Sequence, residues 1–274
     1  MFSPNDTAPP ASLELSPPAD CGQWRGSHLA ETRWSLELAR LLVDPVFVPL
    51  GVPRGDGRPV VLMPGFLAGD QTLSVMAAWL WRLGYQPRTC GFVANVDCSE
   101  RTSVRIEKLV RWLHRRSGRR VALIGHSRGG HFARAVATRL PECVSHAISL
   151  GGGLQQMFEV SARTQAVVGA VRRGLHLTAR ARSEHCFTNE CDCEFSRNYA
   201  GEFPADSVRL TSIYSKGDGV VRWPACLVPY ADCVEVTGSH VGLICNRKSY
   251  RAVATALGAP ELPLEPGALT ARHR

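Results

Sequence analysis

The run Val121-Ala122-Leu123-Ile124-Gly125-His126-Ser127-Arg128-Gly129-Gly130 constrains this chain more than any other stretch. Arg119 to Ile124 is a short, β-branched-rich apolar segment that reads as a buried strand. His131 to Leu140 has apolar residues at helical spacing and stops at Pro141. Between them Gly-x-Ser-x-Gly places small residues on both sides of a serine. Strand, tight turn and helix in that order form a nucleophile elbow, where the serine sits in a strained turn and only glycine leaves room beside it. The hydroxyl of Ser127 is therefore expected to stand above the end of a sheet. The rival for such a segment is a glycine-rich loop that holds a phosphate at a helix N-terminus. Neither Gly-x-Gly-x-x-Gly nor Gly-Lys-Ser/Thr occurs here.

A serine hydroxyl is a weak nucleophile near neutral pH, so the chain must also supply a base and a group that orients it. Arg209 to Ser215 reads as a strand running into Lys216-Gly217-Asp218-Gly219, which places Asp218 just beyond a strand end as the acid. Cys233 to Val236 reads as a further strand opening into Thr237-Gly238-Ser239-His240-Val241-Gly242, which presents His240 as the base. Taken singly, Gly-Asp-Gly is a turn and a loop histidine is a surface group. In the order Ser127, Asp218, His240 after successive strands of one parallel sheet, they read as a triad. A tetrahedral intermediate also needs two amide donors at its oxyanion. The backbone N–H of Arg128, next after the serine, is one. That of Phe66, where the apolar strand Pro59 to Met63 breaks at Pro64-Gly65, is the other. Phe66 and Leu67 are expected to double as apolar walls.

Pro64-Gly65-Phe66, Gly125-His126-Ser127-Arg128-Gly129-Gly130, Tyr214 to Val221 and Gly238-Ser239-His240 together resemble bacterial α/β-hydrolases of the lipase-like and GPI-inositol-deacylase-like group, over roughly Arg54 to Leu257. The resemblance implies a serine hydrolase acting on carboxylic esters, lipidic ones included, with Ser127, Asp218 and His240 as its triad. Many lipases of this kind carry His-Gly before the oxyanion aromatic. Pro64-Gly65 departs from that pattern and leaves the choice of substrate open.

The coarse order is a proline-rich leader (1–25), a single α/β domain (26–258) and a polar tail (259–274). A helix is expected around Leu29 to Leu42; the helix Gly26 to Val43, with Trp24 and Trp34, is expected to pack on the body, a mobile lid or membrane-facing flap being the alternative. From Val60 to Leu257 strands and helices alternate, which builds a mainly parallel central sheet with helices on both faces. A chain of 274 residues with 45% hydrophobic content is ample for one such domain. Between the strand Ser145 to Leu150 and the strand beginning at Arg209 lies material without strand-like alternation, including Gln155 to Arg180 at helical spacing. This is the expected cap insertion, about 152–206, covering the serine.

The opening residues lack a basic n-region and an apolar h-region, so they read as a flexible leader rather than a signal peptide, and the sequon at Asn5-Asp6-Thr7 reads as chance. A cytoplasmic location follows as the expectation, with ten cysteines kept reduced and mostly serving as small buried hydrophobes. His185, Cys186, Cys191 and Cys193 cluster, but Cys-x-Cys without a second pair departs from structural zinc spacings, and no metal or cofactor is expected. The oxidised alternative pairs Cys186 with Cys191 or Cys193, or Cys226 with Cys233.

The net charge of +8 is carried almost wholly by arginine, since lysine occurs only at Lys108, Lys216 and Lys248, a bias of the kind GC-rich bacterial genomes impose. Arg105, Lys108, Arg111, Arg115, Arg116, Arg119 and Arg120 line one amphipathic helix and its exit, opposite Ile106, Leu109, Val110 and Leu113. With little aromatic interleaving, this reads as a solvated helix face rather than a nucleic-acid surface, though a basic rim also suits peripheral contact with anionic lipid. The expected partner is thus a small-molecule ester, lipids included, and not a nucleic acid. An acyltransferase using the same triad and a non-catalytic binding protein on the same fold remain the alternatives.

Overall fold

A computed structural model describes residues 28–48 and 51–264. The leader with its sequon, Cys21 and Trp24, together with residues 265–274 of the tail, lies outside the described residues.

Six parallel strands form one sheet: β1 (Pro59–Met63), β2 (Gln86–Thr89), β3 (Val121–His126), β4 (Val144–Leu150), β5 (Arg209–Ser215) and β6 (Asp232–Val236), in the spatial order β2-β1-β3-β4-β5-β6. The period of two along the strands sorts their side chains onto two faces. Val61, Met63, Val121 and Leu123 point to one side, where they meet helices α3 (Ser99–Ser117), α4 (Arg128–Arg139) and α6 (Glu194–Ala200) through Ile106, Phe132 and Phe195. Val60, Leu62, Ala122 and Ile124 point to the other, against α1 (Trp34–Leu42), α2 (Ser74–Arg82) and α7 (Arg247–Gly258) through Leu41, Trp79 and Tyr250. Because both faces are covered, β1, β3 and β4 are buried along their whole lengths, which is why they read as continuous apolar runs rather than alternating ones.

Trp79 is fully buried, packs at a tilt against Tyr250 with ring centroids 4.6 Å apart and donates its indole N–H to the Val46 carbonyl at 2.8 Å. Truncating a side chain placed like this to alanine typically costs about 3–5 kcal/mol. Asp44 receives Arg251 at 2.6 Å and Arg247 at 3.4 Å, fastening the end of α1 to α7.

Three features depart from the expectations. The N-terminal helix is split into a 3-10 turn, His28–Arg33, followed by α1. The short strand β2 sits at the sheet edge, where Pro87 and a largely exposed backbone are tolerated because no neighbour demands its N–H. Arg120 does not belong to the solvated basic face: it is buried, donating to Glu261 at 3.1 Å, to the Ser207 carbonyl at 2.9 Å and to the Leu262 carbonyl. The rest of the amphipathic reading of α3 holds, with Ile106, Val110 and Leu113 buried.

Between β4 and β5 the chain leaves the sheet, forms α5 (Ala162–Leu177) and α6, and returns. Its helix α6 packs beside α3 and α4 on one face of the sheet through Phe195 and Tyr199. No described helix is long and apolar enough to cross a membrane.

Candidate active site

Strand order reverses between β1 and β3: the chain leaves β1 for the β2 side and comes back to β3 on the other. In open α/β sheets the crevice at that switch point, beyond the carboxyl ends of the strands, is where ligands bind. The register Met63↔Gly125 sets Pro64-Gly65-Phe66 directly beside His126-Ser127. Ser127 follows β3 immediately, with φ 52° and ψ −119°, and α4 begins at the next residue. Holding a non-glycine residue there costs on the order of 1–3 kcal/mol, which the surrounding packing must offset. The packing is close enough to do so. A Cβ at Gly125 would lie 2.0 Å from the Gly129 carbonyl oxygen, and one at Gly129 would lie 2.1 Å from that of Met63, so both positions need glycine because backbone passes against backbone.

Asp218 lies just past β5 and His240 just past β6, as expected. The structure joins them: Nδ1 of His240 is 2.6 Å from Oδ2 of Asp218, and both side chains are buried. The other oxygen, Oδ1, accepts the N–H groups of Val220 and Val221 at 2.8 Å each, which fixes the carboxylate's orientation. Burial disfavours an imidazolium at His240. The Asp218 charge, its hydrogen bond and the charge of Glu31 outweigh that, and the His240 pKa is raised above its ordinary value. Gly151, at φ +64°, clears the way: a Cβ there would lie 3.2 Å from both Asp218 Oδ2 and His240 Nδ1.

Several residues that the sequence did not single out hold this pair. Glu31, in the N-terminal 3-10 turn, accepts N–H bonds from Gly219 (3.0 Å), His240 (3.0 Å) and Val241 (2.8 Å), so one carboxylate clamps the acid loop and the base loop together. Glu37, on α1, accepts from Ser239 at 3.1 Å. His126 Nε2–H donates to the His240 carbonyl at 3.0 Å. Burial, then the nearby His240, push the His126 pKa down to about 3, so it is neutral and serves as a fixed donor. Two glutamates more than 180 residues upstream of their partners leave no local spacing from which this clamp could be read.

On the other side of Ser127, the two candidate oxyanion residues flank the same crevice. Arg128 is the first residue of α4, so its N–H has no intrahelical acceptor. Phe66 bridges to Asn95 at the edge of the crevice. Asn95, buried and also absent from the sequence reading, donates Nδ2–H to the Pro64 carbonyl at 2.8 Å and accepts from Arg128 Nη1 at 2.8 Å. The Arg128 side chain turns inward. It donates to the Asn95 and Asp97 carbonyls and to Ser99 Oγ, with its Cζ 4.4 Å from the Phe187 ring centroid. Burial pushes its pKa down to about 9, and it stays charged at neutral pH.

A cavity of about 410 Å³ opens over this centre, and Ser127, His240, Phe66 and Arg128 all line it. Its walls are mainly apolar, with Leu67, Met157, Phe158, Val167, Val168 and Phe187 among them. Such a volume falls in the range of small-ligand sites, about 300–1,000 Å³. The structure therefore brings together every residue that the sequence nominated. Asp218 reaches the site through its bond to His240 rather than as part of the wall.

No family model matches this sequence, and no curated protein is similar to it. Solved structures are. Over 76% of this chain and 95% of theirs, the backbone superposes on the mature form of lipase BlEst2 from Bacillus licheniformis with a TM-score of 0.54 at 14% identity. A gene product of Listeria innocua matches over 75% of this chain and 96% of its own (TM-score 0.52, 14% identity). Aspergillus fumigatus lipase B matches over 78% and 56% respectively (TM-score 0.54, 14% identity). The chain has an α/β-hydrolase fold. In this fold the segment between β4 and β5 supplies one wall of the cavity, from Met157 to Phe195.

The sulfur contacts of Cys186 are not those of the oxidised alternative. All nine in the described residues are free thiols. Cys186 does not meet Cys191 or Cys193; its sulfur lies 3.4 Å from that of Cys98, at the N-cap of α3. His185 pairs with Glu190 at 3.0 Å, and among the described residues no group of three or more potential ligands is placed to hold a metal ion.

Proposed function

We propose that this α/β-hydrolase cleaves carboxylic esters through an acyl-enzyme on Ser127. The observation that carries the reading is the buried 2.6 Å pair of His240 and Asp218, whose His240 shares one apolar crevice with a strained serine at a strand-to-helix turn. His240 Nε2 takes the Ser127 proton as Oγ attacks the ester carbonyl and returns it to the leaving alcohol. Asp218 holds the Nδ1–H tautomer and stabilises the imidazolium. The N–H groups of Phe66 and Arg128 receive the oxyanion. Water activated by His240 then releases the acid.

The apolar walls support an acyl or lipidic ester as substrate. Leu67, Val167 and Val241 line the cavity and are also exposed at its rim, which extends the apolar surface outwards and suits peripheral contact with lipid. The lipases among the structural neighbours support the same substrate class. The β4–β5 segment acts as the cap of a single domain in this reading. The narrower likeness to GPI-inositol deacylases rests on the sequence motifs alone.

Labelling of the purified protein by a fluorophosphonate, followed by turnover of p-nitrophenyl esters of rising chain length, tests the assignment. The reading requires that labelling vanish in Ser127→Ala and weaken in Asp218→Asn and His240→Ala. A folded wild-type protein that neither labels nor turns over any ester overturns it.

A further inference from the structure

Cys98 and Cys186 are 88 residues apart in sequence, yet their sulfurs are 3.4 Å apart and both are buried. Cys98 is the N-cap residue of α3, next to Ser99, which lines the cavity. Cys186 belongs to the β4–β5 segment, immediately before Phe187, whose ring covers the Arg128 guanidinium at 4.4 Å and meets Phe66 at 6.1 Å. The two sulfurs share one apolar cluster with Leu175 and Phe187, packed against Phe66, Val168 and Val171. Beside them Asp97 pairs with Arg180 at 3.0 Å, so the same two segments are already held in register by a second contact. We propose that Cys98 and Cys186 form a site of oxidative modification, closing a reversible disulfide that fastens the β4–β5 segment to the start of α3 at the wall of the active-site cavity.

The two thiols are chemically unequal. The Cys186 S–H donates to Cys98, and the backbone N–H groups of Glu100, Arg101 and Arg182 point at the same sulfur, holding the Cys98 thiol below its ordinary value. A thiolate with helix N-terminal donors is the nucleophile of the pair, and the charge of the nearby Arg128 favours it further. Cys186 is raised by the adjacent Cys98 sulfur and by burial, and serves as the resolving thiol. The oxidant is a hydroperoxide, small enough to enter a cavity of about 410 Å³ lined by the neighbours Ser99 and Phe187. Cys98 thiolate attacks the peroxide oxygen, the O–O bond breaks, and a sulfenic acid and water form. Cys186 sulfur then attacks Cys98 sulfur, expelling the sulfenic oxygen as a second water. With hydrogen peroxide, two thiols become one disulfide and the peroxide becomes two waters.

The test uses the full chain treated with stoichiometric hydrogen peroxide, alkylated, digested without reductant and mapped by mass spectrometry. The expected product is a Cys98–Cys186 cross-linked peptide that dithiothreitol abolishes. It persists in the Cys191→Ser and Cys193→Ser variants and is lost in Cys98→Ser and Cys186→Ser. In Cys186→Ser the sulfenic acid stays on Cys98 and is trapped by dimedone. Closing a chain loop of this length is expected to raise Tm by about 10 °C in the oxidised wild type. Cross-links that form only among other cysteines, dimedone adducts absent from Cys98 in Cys186→Ser, or an oxidised protein that melts no higher than the reduced one each overturn the proposal. None of these readouts depends on ester hydrolysis.

Discussion

Replacing Glu31 tests whether the N-terminal turn belongs to the catalytic machinery. One carboxylate accepts three N–H groups, at 3.0 Å from Gly219, 3.0 Å from His240 and 2.8 Å from Val241. Hydrogen bonds to a charged acceptor contribute about 1.5–3 kcal/mol each. Water replaces part of that at a half-exposed residue, so the loss in Glu31→Ala is taken as about 2–3 kcal/mol for the set rather than the full sum. If that energy holds the His240 loop in its productive place, kcat/KM falls by about 30- to 150-fold. Glu31 also helps to raise the His240 pKa, and the groups facing that ring are Asp218, Glu31 and the neutral His126. Removing the Glu31 charge therefore lowers the His240 pKa and moves the acid limb of the kcat/KM profile to lower pH. Glu31→Gln shares the pH shift but keeps one acceptor oxygen, so its rate loss is smaller. The measurement is p-nitrophenyl ester turnover from about pH 5 to 9 with a thermal melt beside it. A Glu31→Ala protein with wild-type kcat/KM and an unmoved acid limb refutes the clamp.

Four further outcomes follow from the same geometry. In the wild type the acid limb lies above 6.5, because His240 must be neutral to act and its pKa is raised; Asp218→Asn brings the limb down and lowers kcat by about 10⁴-fold, read from the pH profile. The stability side has a matching sign: a raised histidine stabilises the fold below its unfolded value of 6.5 and loses that contribution as pH rises through the folded value, so Asp218→Asn flattens the dependence of Tm on pH in that window. Gly65→Ala sets a Cβ 2.9 Å from His126 Nδ1 and 3.2 Å from Ser127 Cβ; it should cost about 1–3 kcal/mol by denaturant titration and, by displacing Ser127, about 10²-fold in kcat. Arg128→Met strands the Asn95 and Asp97 carbonyls and Ser99 Oγ and should lower stability by about 3 kcal/mol, with fluorophosphonate labelling slowed as the Asn95–Pro64 loop loosens.

The fold and the three central residues were legible in the sequence because each is announced locally. Buried parallel strands read as β-branched runs, and the elbow needs glycine within a residue or two of Ser127, where Gly125 and Gly129 stand against backbone oxygens. Asp218 and His240 sit directly after strands whose apolar character is visible. β2 was not legible, because an edge strand that contains Pro87 and faces water carries neither alternation nor an apolar run.

The order along the chain thus determined the sheet, the strand-serine-helix turn and the placing of Ser127, Asp218 and His240 after strand ends, since those depend on steric rules acting over a few neighbouring residues. Only the tertiary structure decided what supports them. Glu31 on the His240 loop, Asn95 on the Pro64 carbonyl, Arg120 buried at the foot of β3 and Cys98 against Cys186 are contacts between segments distant in sequence. Glu31, Asn95 and Arg120 would each read as a surface residue by its neighbours, and the two cysteines as small buried hydrophobes with no partner named. Each partner is chosen by where the packed helices and strands set two loops side by side, and no pattern of local spacing carries that information.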